Sequence, residues 1–303
     1  MAEKTLICGG TGFIGKNLAR CLTPGTVRLL VHDRCPEWTR DVDYGFEIVR
    51  GDLLERQNII EALKDVSRVV NLVGSYSRDL YHINIKSAYN LLEACRERVV
   101  ERLVFMSSET IYGECGPRPA LETDRPRPIT EYAITKYLAE CLHKSYADTY
   151  RIPVTVLRMS NVYGPEKKTG VIFNFLQALW EGRPLAIDND GRQRRDFVYI
   201  DDAARGIVQA LNYHAKQDFE VFNITATESV SLLELVDMLE KIHRRKTGIQ
   251  YFANRMDDIR CLHSSCEKAR SLLGFQPEYS LERGIGIMSK QIEQDVEESG
   301  KRK

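Results

Sequence analysis

The sequence predicts an α/β fold: a doubly wound parallel sheet, followed by a smaller C-terminal α/β lobe that takes the substrate. Three observations predict it. Short apolar runs alternate with helix-period segments over the first two-thirds of the chain, the pattern of a parallel sheet covered on both faces. The first apolar run, 5–8, passes directly into Gly9-Gly-Thr-Gly12-Phe-Ile-Gly15 and then into a helical stripe at Leu18, Ala19 and Leu22. After Pro165 the alternation becomes less regular, which assigns 1–165 with about 195–226 to a dinucleotide-binding unit, and about 166–194 with 227–303 to a substrate lobe.

The glycine turn comes first because the rest is arranged around it. Glycine lets a backbone turn sharply and approach a ligand closely. The helix that follows offers unpaired N–H groups and a partial positive charge, which suit a pyrophosphate. Residues 27–31 form the second strand, ending in His32-Asp33-Arg34. An acid just after this strand can accept hydrogen bonds from adenosine ribose hydroxyls, which makes Asp33 the candidate. Arg34 and His32 could instead hold a 2′-phosphate, so NAD is favoured over NADP with both open. A third strand at 46–49 leads into Gly51-Asp52-Leu53. Asp52 can meet the adenine edge or cap a helix starting near Leu54.

A fourth strand at 66–73 ends at Gly74, and a helix over 84–96 carries Ala88, Leu91, Leu92 and Cys95 as its apolar stripe. The fifth strand, 102–106, delivers Ser107-Ser108 to the carboxyl edge of the sheet, where ligands usually sit. A proline-rich loop follows, then a helix from Glu131 bearing Tyr132 and Lys136. A strand at 154–158 leads to Asn161-Val-Tyr-Gly-Pro165. Beyond it the expected elements are helices at 171–180, 202–211, 232–243 and 265–273. Strands are expected at 183–187, 195–200, 221–224 and 249–252, and a frayed tail after Glu297.

Composition narrows the function. The chain has 303 residues, with 43 Lys+Arg against 43 Asp+Glu, so net charge gives no argument for nucleic acid or an anionic membrane. No run of ~18 apolar residues suggests a spanning helix. The first strand begins almost at once and leaves no room for a signal peptide. Eight scattered cysteines without C-x-x-C read as reduced thiols of a cytoplasmic protein, not as a disulfide framework or a metal site.

Tyr132 and Lys136 are four apart and share a helix face. A nearby ammonium favours phenolate and lowers a tyrosine pKa, so this pair can remove a proton from a sugar hydroxyl near neutral pH. A serine hydroxyl across the site, Ser108 or alternatively Ser107, can hold the same oxygen. The redox step itself belongs to a nicotinamide.

This order of motifs resembles the extended short-chain dehydrogenase/reductase family, in its NAD-dependent epimerase/dehydratase branch, over roughly 4–286. The resemblance implies a Rossmann sheet with tightly held NAD. It implies cofactor contacts at Gly9, Gly12, Phe13, Ile14, Gly15, Asp33, Arg34, Asp52, Leu53, Leu72, Val73, Gly74 and Asn84, with Tyr132 and Lys136. It places Ser108, Tyr132 and Lys136 as the catalytic group. Leu157-Arg-Met-Ser-Asn161, Gly182-Arg-Pro-Leu-Ala-Ile187, Arg195-Asp-Phe-Val-Tyr and Arg255-Met-Asp-Asp258 resemble the substrate half. There Asn161, Arg195 and Arg255 would meet a nucleotide diphosphate and Asp258 a ribose. The activity implied is a nucleotide-sugar epimerase, a UDP-sugar 4-epimerase first, with a reductase, dehydrogenase or decarboxylase of the family as the alternative and a non-catalytic dinucleotide-binding protein behind both. A homodimer through the 84–96 and 131–150 helices is implied too, and Ala88, Leu92, Ala139 and Leu142 would serve either it or the monomer core.

Departures from the family are informative. The segments 74–84 and 165–171 are short, and both help shape the sugar pocket in relatives. Glu109-Thr110 follows Ser108 where dehydratases carry Asp-Glu and decarboxylases a glutamate at the position of Thr110. Glu109 stands one position early, from where a shifted register could still supply an acid.

Overall fold

The computed structural model describes residues 3–76, 79–226, 229–253 and 259–300, the last with side chains to 294. Its strands are β1 (Thr5–Cys8), β2 (Val27–Val31), β3 (Glu47–Arg50), β4 (Arg68–Asn71), β5 (Arg102–Ser108) and β6 (Val154–Met159), then β7 (Asn161–Tyr163), β8 (Leu185–Asp188), β9 (Arg194–Tyr199), β10 (Phe219–Ile224), β11 (Ser229–Ser231) and β12 (Ile249–Phe252). Seven of them form one all-parallel sheet in the order β3-β2-β1-β4-β5-β6-β10. Strand alternation accounts for the cover on both faces. Ile7, Leu29, Val31 and Val70 belong to one buried cluster, and Leu6, Cys8, Leu30 and Val69 to the other.

The helices are α1 (Phe13–Cys21), α2 (Arg56–Ala62), α3 (Ser87–Arg96), α4 (Glu131–Tyr150), α5 (Val171–Trp180), α6 (Ile200–Asn212), α7 (Leu232–His243), α8 (Glu267–Leu273) and α9 (Leu281–Gly300). Helices α1 and α6 pack together on one face of the sheet; α2, α3 and α4 cover the other. Two small sheets, β11-β9-β7 and β12-β8, lie beyond the large one. The chain order reverses between β1 and β4, so the crevice opens at their carboxyl ends.

Several boundaries differ from the sequence reading, each for a physical reason. Strand β4 stops at Asn71, opposite the last residue of β1; the Leu72 N–H still donates to the Cys8 carbonyl at 3.0 Å, and Val73 and Gly74 run on past the ladder beside the crevice. Strand β5 extends through Ser108, because Ser107 and Ser108 still pair with Arg158 and Met159. The helix expected from Asn84 begins instead as a π-helical turn, Tyr81–Lys86, and becomes α-helical at Ser87. Helix α9, of which only the end was read, as a frayed tail, runs to Gly300. It buries Ile285 and Met288, and Gly284 lets it lie against the Tyr163 ring. Ala88, Leu92 and Ala139 are fully buried in the core between α3, α4 and the sheet, and Leu142 packs against it, so this stripe is intramolecular.

Candidate active site

The glycine turn has the geometry a dinucleotide needs. Gly9 sits at φ +78°, a left-handed conformation that glycine adopts without strain. The Gly12 N–H donates to the Gly9 carbonyl at 3.1 Å, and Gly12 caps α1. A Cβ on Gly15 would collide with the Gly9 carbonyl and lie 2.5 Å from Gly10 Cα. Helix α1 carries no acid in its first turn to compete for its free N–H groups. A cavity of about 300 Å³ opens on one side of the turn, lined by Phe13, Ile14, Leu72, Gly74, Ser107, Ser108, Tyr132 and Lys136. Another, of about 340 Å³, opens on the other side toward His32, Asp52, Leu53 and Val73. Gly9 borders both.

Asp33 and Arg34 are exposed just past β2, next in the chain to His32 of the second cavity. Asp52 both faces the cavity and caps a turn: its Oδ1 accepts the Leu54 N–H at 2.9 Å, and its Oδ2 lies 3.3 Å from His32 Nε2. Asn84, expected among the cofactor contacts, engages its own chain. The π turn aims its amide at backbone, where it donates to the Ser75 carbonyl (3.0 Å) and Thr135 Oγ1 (2.9 Å) and accepts the Ser75 N–H (2.8 Å). It clamps the strand end that carries Gly74 to the helix that carries Lys136.

Ser108, Tyr132 and Lys136 come together on the first cavity. Thr130 caps α4 by accepting the Ala133 N–H at 3.2 Å, which fixes Tyr132 in the first turn. Ser108 Oγ accepts from Thr110 Oγ1 (2.9 Å) and the Thr110 N–H (3.3 Å), so its own proton is left to donate forward, and it bonds the Tyr132 phenol. Ser107 Oγ is buried there without a hydrogen-bond partner among the described residues. Burial, then contact with Tyr76, hold the Tyr132 phenol well above its ordinary pKa, while the Ser108 bond pulls the other way. The sequence expectation was the reverse, and position explains it. Lys136 Nζ lies 4.4 Å above the Phe105 ring, beside Gly74, and makes no hydrogen bond to the phenol among the described residues.

Lys136 is 1% exposed, and burial pushes its ammonium down to about 7, against the Glu140 carboxylate one turn on. Its folded pKa is depressed below the unfolded value of 10.5, so the unfolded chain binds more protons between about 7 and 10.5. The cost of burying the charge is therefore fully felt below about 7 and is relieved as pH rises through that window. His143, held neutral with its pKa near 4, does not titrate there. Lys136→Met should melt several degrees above the parent at pH 6.5, with the gap closing by pH 10; thermal melts across that range check this.

Glu140 also pairs with Arg158 at 2.9 Å, both nearly fully buried. Arg158 donates to the Tyr112 hydroxyl (2.9 Å), which donates to Asn223 Oδ1 (2.7 Å). This network ties α4 to β6 and β10 beneath the site. Glu140→Gln leaves the guanidinium uncompensated and should cost about 3–5 kcal/mol, read as a lower urea midpoint with unchanged slope.

Glu109 does not reach the crevice. It is buried behind β5, where Oε2 accepts from Ser264 Oγ at 3.1 Å beside Asp196. Burial, and then the Asp196 carboxylate, hold it well above the usual carboxylate range. The shifted-register acid is thereby ruled out. A third cavity, about 550 Å³, is lined by Asn161, Arg183, Pro184, Asp188, Gln193 and Arg195. Asn161 borders this cavity and the catalytic one, and its Nδ2 donates to the Asp196 carbonyl at 3.0 Å. Arg195 Nη1 is held by the carbonyls of Arg194 (2.8 Å) and Ile259 (2.6 Å). Arg255 and Asp258 lie outside the described residues.

The sequence profile of the NAD dependent epimerase/dehydratase family matches residues 5–225. The chain belongs to this family. Among proteins similar to it is a putative UDP-glucose 4-epimerase of Methanocaldococcus jannaschii, 31% identical over 92% of this chain and 95% of that one. A UDP-N-acetyl-alpha-D-glucosaminuronate decarboxylase of Bacillus cytotoxicus is 26% identical over 94% of this chain and 96% of its own. A solved structure of a Tyr-to-Phe variant of UDP-glucuronic acid 4-epimerase from Bacillus cereus, in complex with UDP-4-deoxy-4-fluoro-glucuronic acid and NAD, superposes with a TM-score of 0.89 at 29% identity, over 96% of this chain and 99% of that one.

For an epimerase/dehydratase family member, two features of this crevice escaped the sequence reading. The short segment after Pro165 carries Lys167 and Lys168 to the catalytic cavity. Lys167 Nζ bonds the Val162 carbonyl at 2.5 Å, and Glu166 pairs with Lys16 of α1 at 2.5 Å. The other is Tyr76, on the shortened 74–84 segment, against the phenol of Tyr132. The only signal for either was the shortness of its loop.

Proposed function

We propose that this chain is a nucleotide-sugar epimerase acting on a UDP-sugar at C4, with NAD held throughout turnover. The observation that carries the reading is the Ser108–Tyr132–Lys136 group facing a crevice that continues across the glycine turn. The turn fits a dinucleotide: a side chain at Gly15 would fill the close approach of turn and helix, and the helix end is free. The nicotinamide would supply the acceptance and return of hydride at the sugar carbon. Tyr132 removes the C4 hydroxyl proton as the carbonyl forms and gives it back as the alcohol reforms. Ser108, its lone pairs engaged by Thr110, donates to the same substrate oxygen. Lys136, which lines the same cavity, would supply positive charge to the dinucleotide when it is bound. Asn161 and Arg195 anchor the diphosphate, with Arg255 and Asp258 assigned to the same end, so the sugar is free to turn.

Relatives include a decarboxylase, and that branch uses an acid where this chain has Thr110. Thr110 is engaged with Ser108 and Glu109 with Ser264, which favours epimerisation. The exposed Asp33 supports NAD over NADP. The proposal divides the chain as the sequence reading did, with β11-β9-β7 between the cofactor and substrate parts. It includes a homodimer through the outward faces of α3 and α4, where Tyr89, Ile134 and Leu138 are exposed. It places the protein in the cytoplasm, on eight free cysteines. No helix among the described residues is long and apolar enough to cross a membrane.

The test is a screen of UDP-, dTDP- and GDP-sugars with products resolved by NMR, and mass spectrometry of the cofactor that copurifies. The expected result is bound NAD and a C4 epimer from a UDP-sugar. Release of reduced cofactor in step with product would establish a dehydrogenase instead.

A further inference from the structure

Tyr76 is 75% exposed, yet its ring lies on that of Tyr132 with centroids 4.0 Å apart and planes 24° from parallel. It lies close enough to the Tyr132 phenol to help hold the phenol's pKa up, and it lines the same cavity as Ser108 and Lys136. An aromatic ring this exposed gains little from the core. Its position is set instead by the backbone before it. Asn84 grips Ser75 on both N–H and carbonyl, and the same amide is fixed to Thr135, midway between Tyr132 and Lys136 on α4. Tyr76 is the next residue in the chain, so the clamp fixes the backbone that presents its ring.

We propose that Tyr76 is a specificity-determining residue: it forms the sugar-side wall over Tyr132, and an incoming sugar hydroxyl must take over the contact with the phenol that Tyr76 now makes. The proposal rests on the epimerase reading of this site. It explains how a chain with shortened loops can still enclose its substrate. One aromatic side chain stands where a longer loop would otherwise supply the wall, and an aromatic face suits the C–H face of a pyranose. It also makes sugar binding a competition, because the Tyr132 oxygen has two claimants, the Tyr76 hydroxyl and the sugar hydroxyl whose proton it is to take. The nucleotide half of the ligand, held at Asn161 and Arg195 in the neighbouring cavity, takes no part in that competition.

The test measures binding of UDP, UDP-glucose and UDP-glucuronate to the NAD-loaded protein by calorimetry, so it does not depend on turnover. Tyr76→Phe keeps the ring and removes the competing hydroxyl. It should bind the preferred UDP-sugar roughly three- to tenfold more tightly, the worth of one net hydrogen bond, with the affinity for UDP unchanged within about twofold. Tyr76→Ala removes the wall and should change the ratio of the UDP-glucose and UDP-glucuronate affinities at least about fivefold, again with UDP unmoved. Sugar affinities in both variants equal to the parent's, or UDP affinities that move in parallel with them, would overturn the proposal. A parent protein that binds no UDP-sugar would overturn the epimerase reading itself, and this inference with it.

Discussion

Tyr132→Phe is expected to lower kcat by about three orders of magnitude, within the range that a positioned general base contributes. The change removes one oxygen and keeps the ring, so the stack with Tyr76 and the turn capped by Thr130 survive. Affinities for NAD and for UDP should stay within about twofold, because neither contact set depends on the phenol oxygen. Steady-state kinetics with calorimetry on the same preparation separate the two effects. The protein by itself stabilises the neutral phenol, through burial and Tyr76. Lys136 lies over Phe105 and not on the phenol, so ionisation near neutral pH would need the positive charge that an oxidised nicotinamide would supply, with the sugar in place of Tyr76. A variant near full rate would remove Tyr132 from the reaction.

Gly15→Ala should break the cofactor turn with a single methyl. The added Cβ meets the Gly9 carbonyl and the Gly10 backbone, and no flexible side chain can yield. Helix α1 would have to lift from the turn, costing about 1–3 kcal/mol in stability and disrupting the N–H groups that face the pyrophosphate. Copurifying NAD should be lost, and the melting temperature should fall by several degrees. Gly12→Ala provides the control. Its Cβ would meet only the Gly9 carbonyl, at 3.3 Å, so stability should change far less.

Much of this architecture can be read in the sequence because it is local. Thr5–Cys8 and Val27–Val31 are continuous apolar runs bounded by turn residues, and a strand buried on both faces reads that way. Helix α7 announces itself with Ser231 and Glu234, which form a reciprocal cap. Helix α9 was missed because Gly284 and Gly286 interrupt its pattern, and only the packing against Tyr163 explains why one of them is tolerated. Strands β7 and β11 are three residues each, too short to show a period. The apolar stripe at Ala88, Leu92 and Ala139 has the same spacing whether it faces its own sheet or a second subunit, and only burial decides.

The crevice divides along the same line. Spacing alone puts Tyr132 and Lys136 on one helix face, and strand order puts Ser108 opposite them. What spacing does not carry is the direction of a buried side chain. Lys136 lies over Phe105 and not on the phenol, Asn84 turns to Ser75, and Glu109 turns to Ser264. Each of these depends on a partner distant in sequence. The contact of Tyr76 with Tyr132 is likewise visible only in coordinates, since the two lie far apart in sequence.

The most direct test follows the fate of deuterium in a UDP-sugar labelled at C4, converted by the NAD-loaded protein in ordinary water. The account requires the epimer to keep its deuterium at C4, with no reduced cofactor accumulating, because the atom removed is the atom returned. Loss of the label to water, or accumulation of reduced cofactor in step with product, would contradict it.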